Sequence, residues 1–277
     1  MALETGFVQF FEWDEADGGA YGSSGLVLGG GLGLNSPDNR RPGIGAQAAW
    51  SAGGIDARVS PEVAVTAATK PLILHAVRAS YPAGALQALD LRVGTAQYDW
   101  LIEDAVINSL RLSGAPEDPL RATFDIVALM ATEAAAGGEE AAVGTLLDWY
   151  HGSVLFGADP YDCRSFQAEL NNNVTPRFNL DAKTPTAARF PGVLSLGDEL
   201  VTLRLNLGEK LAYDVLADTP ARNVAVTIEY TDGVTTVTLA FTDMAVTGGL
   251  AMPFQAGADD VLWDLELQGA PGCLAIT

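Results

Sequence analysis

The sequence predicts a mainly β (α+β) fold built as two tandem copies of one sandwich- or barrel-like unit, each with a flanking short helix. Three observations predict it. The order of elements in the first half recurs in the second at an offset of about half the chain, the signature of an internal repeat. Apolar and polar residues alternate over short segments, the period-2 pattern of strands with one buried face. Each half also holds one short stretch with apolar residues on one helical side.

The elements follow in order. In the first copy an extended stretch, Ile55 to Val65, leads to a helix near Lys70 to Ala79, then to strands at Leu86 to Val93, Val106 to Leu112 and Leu120 to Leu129. In the second, Glu199 to Leu207 leads to a helix near Glu209 to Ala217, then to strands at Val224 to Tyr230, Thr235 to Phe241 and Val261 to Leu267. Leu89, Leu91 and Val93 alternate with Asp90 and Arg92; Leu203, Leu205 and Leu207 alternate with Arg204 and Asn206. Val224, Val226, Ile228 and Tyr230 keep the same period, and Asp232-Gly233 then marks a hairpin turn needing positive φ. Thr69 can cap a first helix with Pro71 in its opening turn, and Gly208-Glu209 opens the second. Leu72, Ile73 and Ala76, and in the second copy Leu211, Val215 and Leu216, supply the apolar sides.

Two low-complexity stretches interrupt this order. Gly18 to Gly45, with Gly29-Gly-Gly-Leu-Gly33 and Pro37 to Pro42, reads as a long loop or loosely held hairpin. Ala131 to Gly144 reads as an interdomain linker, dividing the chain into 1–138 and 139–277.

Composition narrows the function. A chain of 277 residues with 48% hydrophobic content can bury a substantial core. Its net charge of −20 comes from 35 acidic residues against 15 basic ones, only three of them lysines (Lys70, Lys183, Lys210), which argues against a surface that attracts nucleic acid. Cys163 and Cys273 lack metal-ligand spacing and read as buried or idle thiols rather than a bridge. The start, Met1 to Phe7, has no basic region or long apolar run, so neither secretion nor membrane insertion is expected.

Catalytic and metal motifs fail on context. Asp14-Glu-Ala-Asp17 spells the helicase acidic box, yet the chain has no Gly-Lys pair to form a phosphate loop. Gly29 to Gly33 lacks dinucleotide-binding spacing. His75 and His151 have no neighbouring ligand at metal spacing, and Asp159 to Asp162 reads as a tight turn rather than a calcium loop. No catalytic residue, cofactor or metal is assigned. Asn171-Asn-Asn-Val-Thr-Pro-Arg177 is more distinctive: three asparagines after Phe166 to Leu170 suggest a strand that turns sharply or bulges.

The run Ser165 to Phe178, with Phe166, Asn171, Asn172, Asn173, Pro176 and Arg177, resembles the Asn-rich strand of tail tube proteins from long-tailed bacteriophages. His151 to Leu155 is similar to the preceding strand of that family, Leu194 to Arg204 to the following one, and Val106 to Val127 to its paired strands around a polar turn. The resemblance covers most of the chain from about residue 55 onward. It implies a tail-tube-like sandwich or barrel with a flanking helix, present twice. Single-copy members form six-membered rings, so a duplicated chain would close as a homotrimer whose rings stack into a hollow tube, with the acidic wall repelling the DNA that passes through.

The implied place is the virion tail, after assembly in the host cytoplasm. The implied partners are the chain itself, tape measure, tail tip and tail terminator proteins, and phage DNA transiently. Similar tubes serve gene transfer agents and tailocins. The Gly-rich segment, with Gly18, Gly29, Gly33, Pro37, Arg40, Arg41 and Pro42, is the candidate ring-stacking loop. The competing reading is a β-sandwich binding or adhesion module, or a virion decoration protein; the motif search disfavours an enzyme.

Overall fold

In the computed structural model the described residues are 10–15, 21–23, 26–35, 39–42, 48–51, 55–78, 85–94, 98–135, 144–178, 190–208, 223–247 and 263–277. They are mainly β. The first half supplies β1 (Phe10–Glu15), β2 (Gly22–Ser23), β3 (Leu26–Gly29), β4 (Leu32–Asn35), β5 (Asn39–Pro42), β6 (Ala48–Ser51), β7 (Asp56–Val59), β8 (Glu62–Ala64), helix α1 (Thr69–His75), β9 (Leu89–Gly94), β10 (Tyr98–Gly114), β11 (Arg121–Ala128) and β12 (Met130–Ala135). The second supplies β13 (Gly152–Phe156), β14 (Asp159–Tyr161), β15 (Cys163–Asn171), β16 (Thr175–Arg177), β17 (Val193–Ser195), β18 (Leu200–Leu207), β19 (Val224–Thr231), β20 (Thr236–Val246), β21 (Trp263–Gly269) and β22 (Leu274–Ile276).

A central antiparallel sheet crosses both halves. From β3 and β4 it passes through β7 and β8 to β11, β10, β15, β18, β21 and the end of β20. A second sheet in the first half runs β2, β1, β9, β10, β12, and its counterpart in the second half runs β14, β13, β19, β20, β22. Among the described residues none of these sheets closes on itself. Strands β5–β6 and β16–β17 form separate two-stranded sheets.

Strands β10 and β20 each serve two sheets, and the same device bends them. A bulge falls between Ile102 and Ala105 where β10 leaves β9, and between Val224 and Val226 where β19 faces β20. Asp104 (φ 51°) and Asp243 (φ 53°) occupy these bends, in the left-handed region that Asp tolerates better than most residues.

Register matches as well. β4 meets β7 as Leu32–Val59, Leu34–Ala57 and Asn35–Asp56, while β15 meets β18 as Ala168–Leu203, Leu170–Val201 and Asn171–Leu200. Residues 36–38 separate β4 from β5 as 172–174 separate β15 from β16, and 52–55 separate β6 from β7 as 196–199 separate β17 from β18.

The core follows from the alternation. Leu110, Leu112, Ala122, Phe124, Leu203, Leu205, Leu265 and Leu267 point from the central sheet into one apolar cluster with Leu89, Leu91, Ile102, Val226, Ile228 and Phe241 of the covering sheets. Helix α1 buries Leu72 and Ile73, with Ala76 beside them. It also lies along the seam between the halves: Lys70 Nζ donates to the Thr236 carbonyl (2.8 Å), and the Ala76 carbonyl accepts from Asn172 Nδ2 (2.9 Å).

Several expectations need correction. The helix is shorter than Lys70 to Ala79, and Thr69 is its first residue rather than its cap. The Thr69 hydroxyl instead accepts the Thr66 N–H and donates to the Ala64 carbonyl, tying the helix start to β8. The segment 18–45, expected as a long loop or loosely held hairpin, holds β2 to β5 among its described residues, and β3 and β4 pair with β8 and β7 rather than with each other, with Val27 and Leu32 packed on the core. The linker begins later than Ala131, since β12 continues to Ala135; residues 136–143 and the boundary at 138 lie outside the described residues. The helix expected at Glu209 to Ala217 also lies outside them.

Candidate assembly and channel surfaces

The Asn-rich turn is the seam's main polar joint. β15 pairs with β10 along Ser109–Asn171, Arg111–Glu169 and Ser113–Gln167, so the two halves share one sheet. At its end, Asn172 is fully buried; its Nδ2 donates to the carbonyls of Ala76 (2.9 Å) and Ile107 (3.0 Å), and its Oδ1 accepts from Arg78 Nε (3.0 Å). Arg78 also donates to the carbonyls of Asn172 and Gly197 and lies 4.0 Å from the buried carboxylate of Glu199. Glu199 in turn accepts the Gly272 N–H. A buried amide with three partners is cheap to keep and costly to lose, since its removal strands two carbonyls. Asn173 adopts φ 50°, and its backbone N–H is held by Asn171 Oδ1 (2.8 Å), which makes the sharp turn. Asn108 Oδ1 accepts the Val174 N–H (2.7 Å), closing the joint from the first half.

At the opposite end of β15, the seam is closed by apolar contact. A Cβ on Gly114 would strike the Tyr230 hydroxyl and the Phe166 ring, and one on Gly152 would meet the same tyrosine ring at 2.7 Å. Glycine at these two positions is what lets Tyr230 cross the seam, with Phe166 tilted against it at 5.9 Å.

The outer edge of the central sheet is different. Among the described residues β3 and β4 pair on one side only, with β8 and β7. Gly30 (φ 131°) and Gly31 interrupt them opposite Ser60 and Pro61, and Leu28 and Leu34 are about 40% exposed (41% and 40%).

The face of the central sheet turned away from the core is polar and ion-paired. Arg58 bonds Asp56 (3.0 Å) and Asp125 (3.2 Å); Arg121 bonds Asp118 (2.7 Å) and Glu62 (3.2 Å); Arg204 faces Glu266 at 3.3 Å and Arg111 faces Glu169 at 3.8 Å. Hydrogen bonds from Arg121 to Asp118 and then Glu62 raise its pKa further above the usual arginine value. A cleft of about 670 Å³ lies on this face, with Arg121, Arg204, Gln167, Asn206, Asp264 and Glu266 on its walls.

The sequence-nominated residues divide accordingly. Asn171, Asn172 and Asn173 come together at one end of the seam and Phe166 lies at its other end, while Pro176 and Arg177 lie on β16 opposite Leu194 and Val193. Gly29 and Gly33 sit on the outer strands beside Glu62 and Arg58. Arg40, Arg41 and Pro42 lie on β5 opposite Trp50, Ala49 and Ala48. Gly18 and Pro37 lie outside the described residues. Sequence reasoning missed Arg78, Asn108, Glu199 and Tyr230; the available signal was a lone Arg directly after an apolar helix, with no carboxylate near it in sequence.

The histidines are accounted for by packing. His75 is buried edge-on to Trp13 at 5.1 Å, and His151 Nδ1 accepts the Asp148 N–H at 3.0 Å. Among the described residues no three His, Cys, Asp or Glu side chains converge as a metal site, and no helix is long and apolar enough to cross a membrane. Both cysteines are free thiols.

No curated protein matches the chain. A family model described as phage tail tube protein matches residues 36–269, which hold the seam and all the described strands from β5 to β21. The chain is therefore a structural component of a phage tail and belongs to the phage tail tube protein family.

Proposed function

We propose that the chain is two copies of one unit, roughly 1–138 and 139–277, and that three chains close into a ring of six such units whose stacking builds the tail tube. One observation carries this reading. β3 and β4 hold the place in the first half that β15 holds in the second, in matching register, yet β15 is covered by β10 and the outer strands are uncovered among the described residues. A surface that repeats along a chain but is satisfied only once calls for a heterologous contact, which gives a ring when its rotation closes. The second half's counterpart of the seam segment of β10, the end of β20 past Asp243, would cover β3 and β4 of the next chain and extend the central sheet around a channel. The matching bulges at Asp104 and Asp243 support the duplication from a second direction.

In this reading the candidate stacking loop 18–45 divides: β3 and β4 close the ring, and the β5–β6 hairpin contributes the stacking contacts. Two-stranded hairpins are marginal alone, and β5–β6 and β16–β17 pair with no further strand among the described residues, so contact with a neighbouring ring would complete them. DNA passes through the lumen to the host. Tape measure, tail tip and tail terminator proteins meet the tube in the virion, and assembly takes place in the host cytoplasm.

Negative-stain electron microscopy with light scattering on the purified chain tests the proposal. The expected result is rings or tubes with a central channel and a mass divisible by three chains. Monomers that stay single when tail-tip complexes are added would overturn it in favour of a binding module.

A further inference from the structure

We infer that the second half carries two complementary surfaces for a second copy of this chain: the exposed apolar side of the β16–β17 hairpin seats in an aromatic cleft on the next copy, at the opposite end of β15. The inference deepens the tube reading by naming what receives this hairpin, and rests on that reading for the stacking of rings. Ten large apolar side chains are exposed among the described residues, and seven of them lie at these two ends. Phe178, Val193, Leu196 and Leu200 are at one, and Trp149, Tyr150 and Val234 at the other. The nine residues of β15, about 30 Å of strand, separate the two groups.

The hairpin is anchored on one side and open on the other. Leu194 packs on the small cluster of Val106, Val127 and Val174, while its neighbour Val193 and Phe178, just past β16, are about half exposed (49% and 48%). Arg177 beside them is exposed and makes no ion pair among the described residues. The receiving end is concave: a cleft of about 640 Å³ has Trp149, Tyr150, Tyr161, Phe166 and Tyr230 on its walls. Trp149 and Tyr150 stand edge-to-face, ring centroids 6.0 Å apart, on a turn held by the Asp148 N–H to His151 Nδ1 bond and by the Tyr150 hydroxyl donating to the Asp148 carboxylate. Three carboxylates, of Asp148, Asp162 and Asp232, lie at this end against the guanidinium of Arg164, a surplus that suits an incoming Arg177. Exposed aromatic side chains around a cleft are where contact energy concentrates, and a platform fixed beforehand loses little freedom on docking. The two surfaces differ, so each chain gives one hairpin and receives one, and the series is open-ended.

The test uses the full chain. Trp149→Ser with Tyr150→Ser removes the anchors of the cleft, and Phe178→Ser with Val193→Ser removes those of the hairpin; all four side chains are exposed, so the urea midpoint should stay where it is. Either pair should weaken the contact by about tenfold or more, as the loss of aromatic anchors does, and leave single rings under the electron microscope where the unaltered chain gives tubes. Mixing preformed rings of the two variants is the sharper arm. Intact hairpins of one then meet intact clefts of the other, and the product should be pairs of rings that do not grow. Tubes of normal length from either variant, or no paired rings in the mixture, overturn the inference.

Photocrosslinking reads the same contact without rings. The photoreactive residue p-benzoylphenylalanine in place of Phe178, illuminated in tubes or in concentrated free chain, should give an adduct with residues 149–153 or 161–164 of a second copy, located by mass spectrometry. Adducts elsewhere on the chain, adducts only with another tail protein supplied alongside, or none at all, overturn the inference. A chain that never forms rings therefore sinks the tube reading, while the position of the adduct judges this one separately.

Discussion

The outer strand of the first half and its counterpart in the second teach what covering does to a strand. β15, flanked by β10 and β18, runs unbroken over nine residues, and from Ser165 to Asn171 buried positions alternate with partly exposed ones. β3 and β4, flanked on one side, are split by Gly30 and Gly31 and leave Leu28 and Leu34 open. The register against the next strand inward is the same in both. A long, flat, apolar edge would pair indiscriminately, and a glycine break is one way to limit that. The covered strand needs no such guard, and it carries the Asn172 joint and the Phe166 contact instead.

Gly114→Val would break this comparison most strongly. The new side chain collides with Tyr230 and Phe166, and overpacking at a buried site costs about 1–3 kcal/mol or more. The expected outcome is a large fall in the urea midpoint, with hydrogen exchange rising first at β15. Asn172→Ala comes next: it leaves the Ala76 and Ile107 carbonyls and the Arg78 guanidinium without their amide, for a loss of about 2–3 kcal/mol. Combining it with Arg78→Ala in a double-mutant cycle should show strong coupling; additive losses would mean the seam does not rely on this pair.

Alkaline pH should also separate the halves. Burial pushes the thiols of Cys163 and Cys273, both in the second half, up to about 11 from a usual value near 9. The folded chain keeps them protonated while the unfolded chain releases its protons, so this contribution is full below about pH 9 and is lost as pH rises towards 11. Exchange at β18 should then accelerate before exchange at β9, and thiol reagents should react slowly at pH 8. The smallest effect on stability is expected from Leu34→Lys on the uncovered edge, within about 0.5 kcal/mol by denaturation. That variant should nonetheless fail to form rings under the microscope, and rings as abundant as those of the unaltered chain would show the edge to be free of any partner.

Much of this fold is legible in the sequence where one face of a strand is buried. The alternations at Leu89 to Val93, Leu203 to Leu207 and Val224 to Tyr230 fall within β9, β18 and β19, and Asp232 accepts the Val234 and Thr235 N–H groups at the expected hairpin. Those two bonds also hold the Asp232 carboxyl below its usual pKa. Periodicity fails where the backbone leaves the pleat. The bend at Asp104 puts Ala105, Val106 and Ile107 all in buried positions, hiding the full length of β10, and Gly30-Gly31 conceals β3 and β4. Of the assembly surfaces, the asparagine turn was readable because left-handed backbone selects few residue types. Arg78 and Glu199 were not, because their partners are distant in sequence and only the seam brings them together.

The helix that spans the seam has a kinetic consequence. With Lys70 on one side and the Asn172 joint on the other, α1 ties the first half of the chain to the second before any second chain arrives. A covalent link raises the local concentration of one unit about the other to roughly the millimolar range, so this contact forms without a diffusive encounter. In the proposed ring of three chains, nucleation would be a three-body event rather than a six-body one, and its onset should rise less steeply with protein concentration than that of a ring assembled from single units.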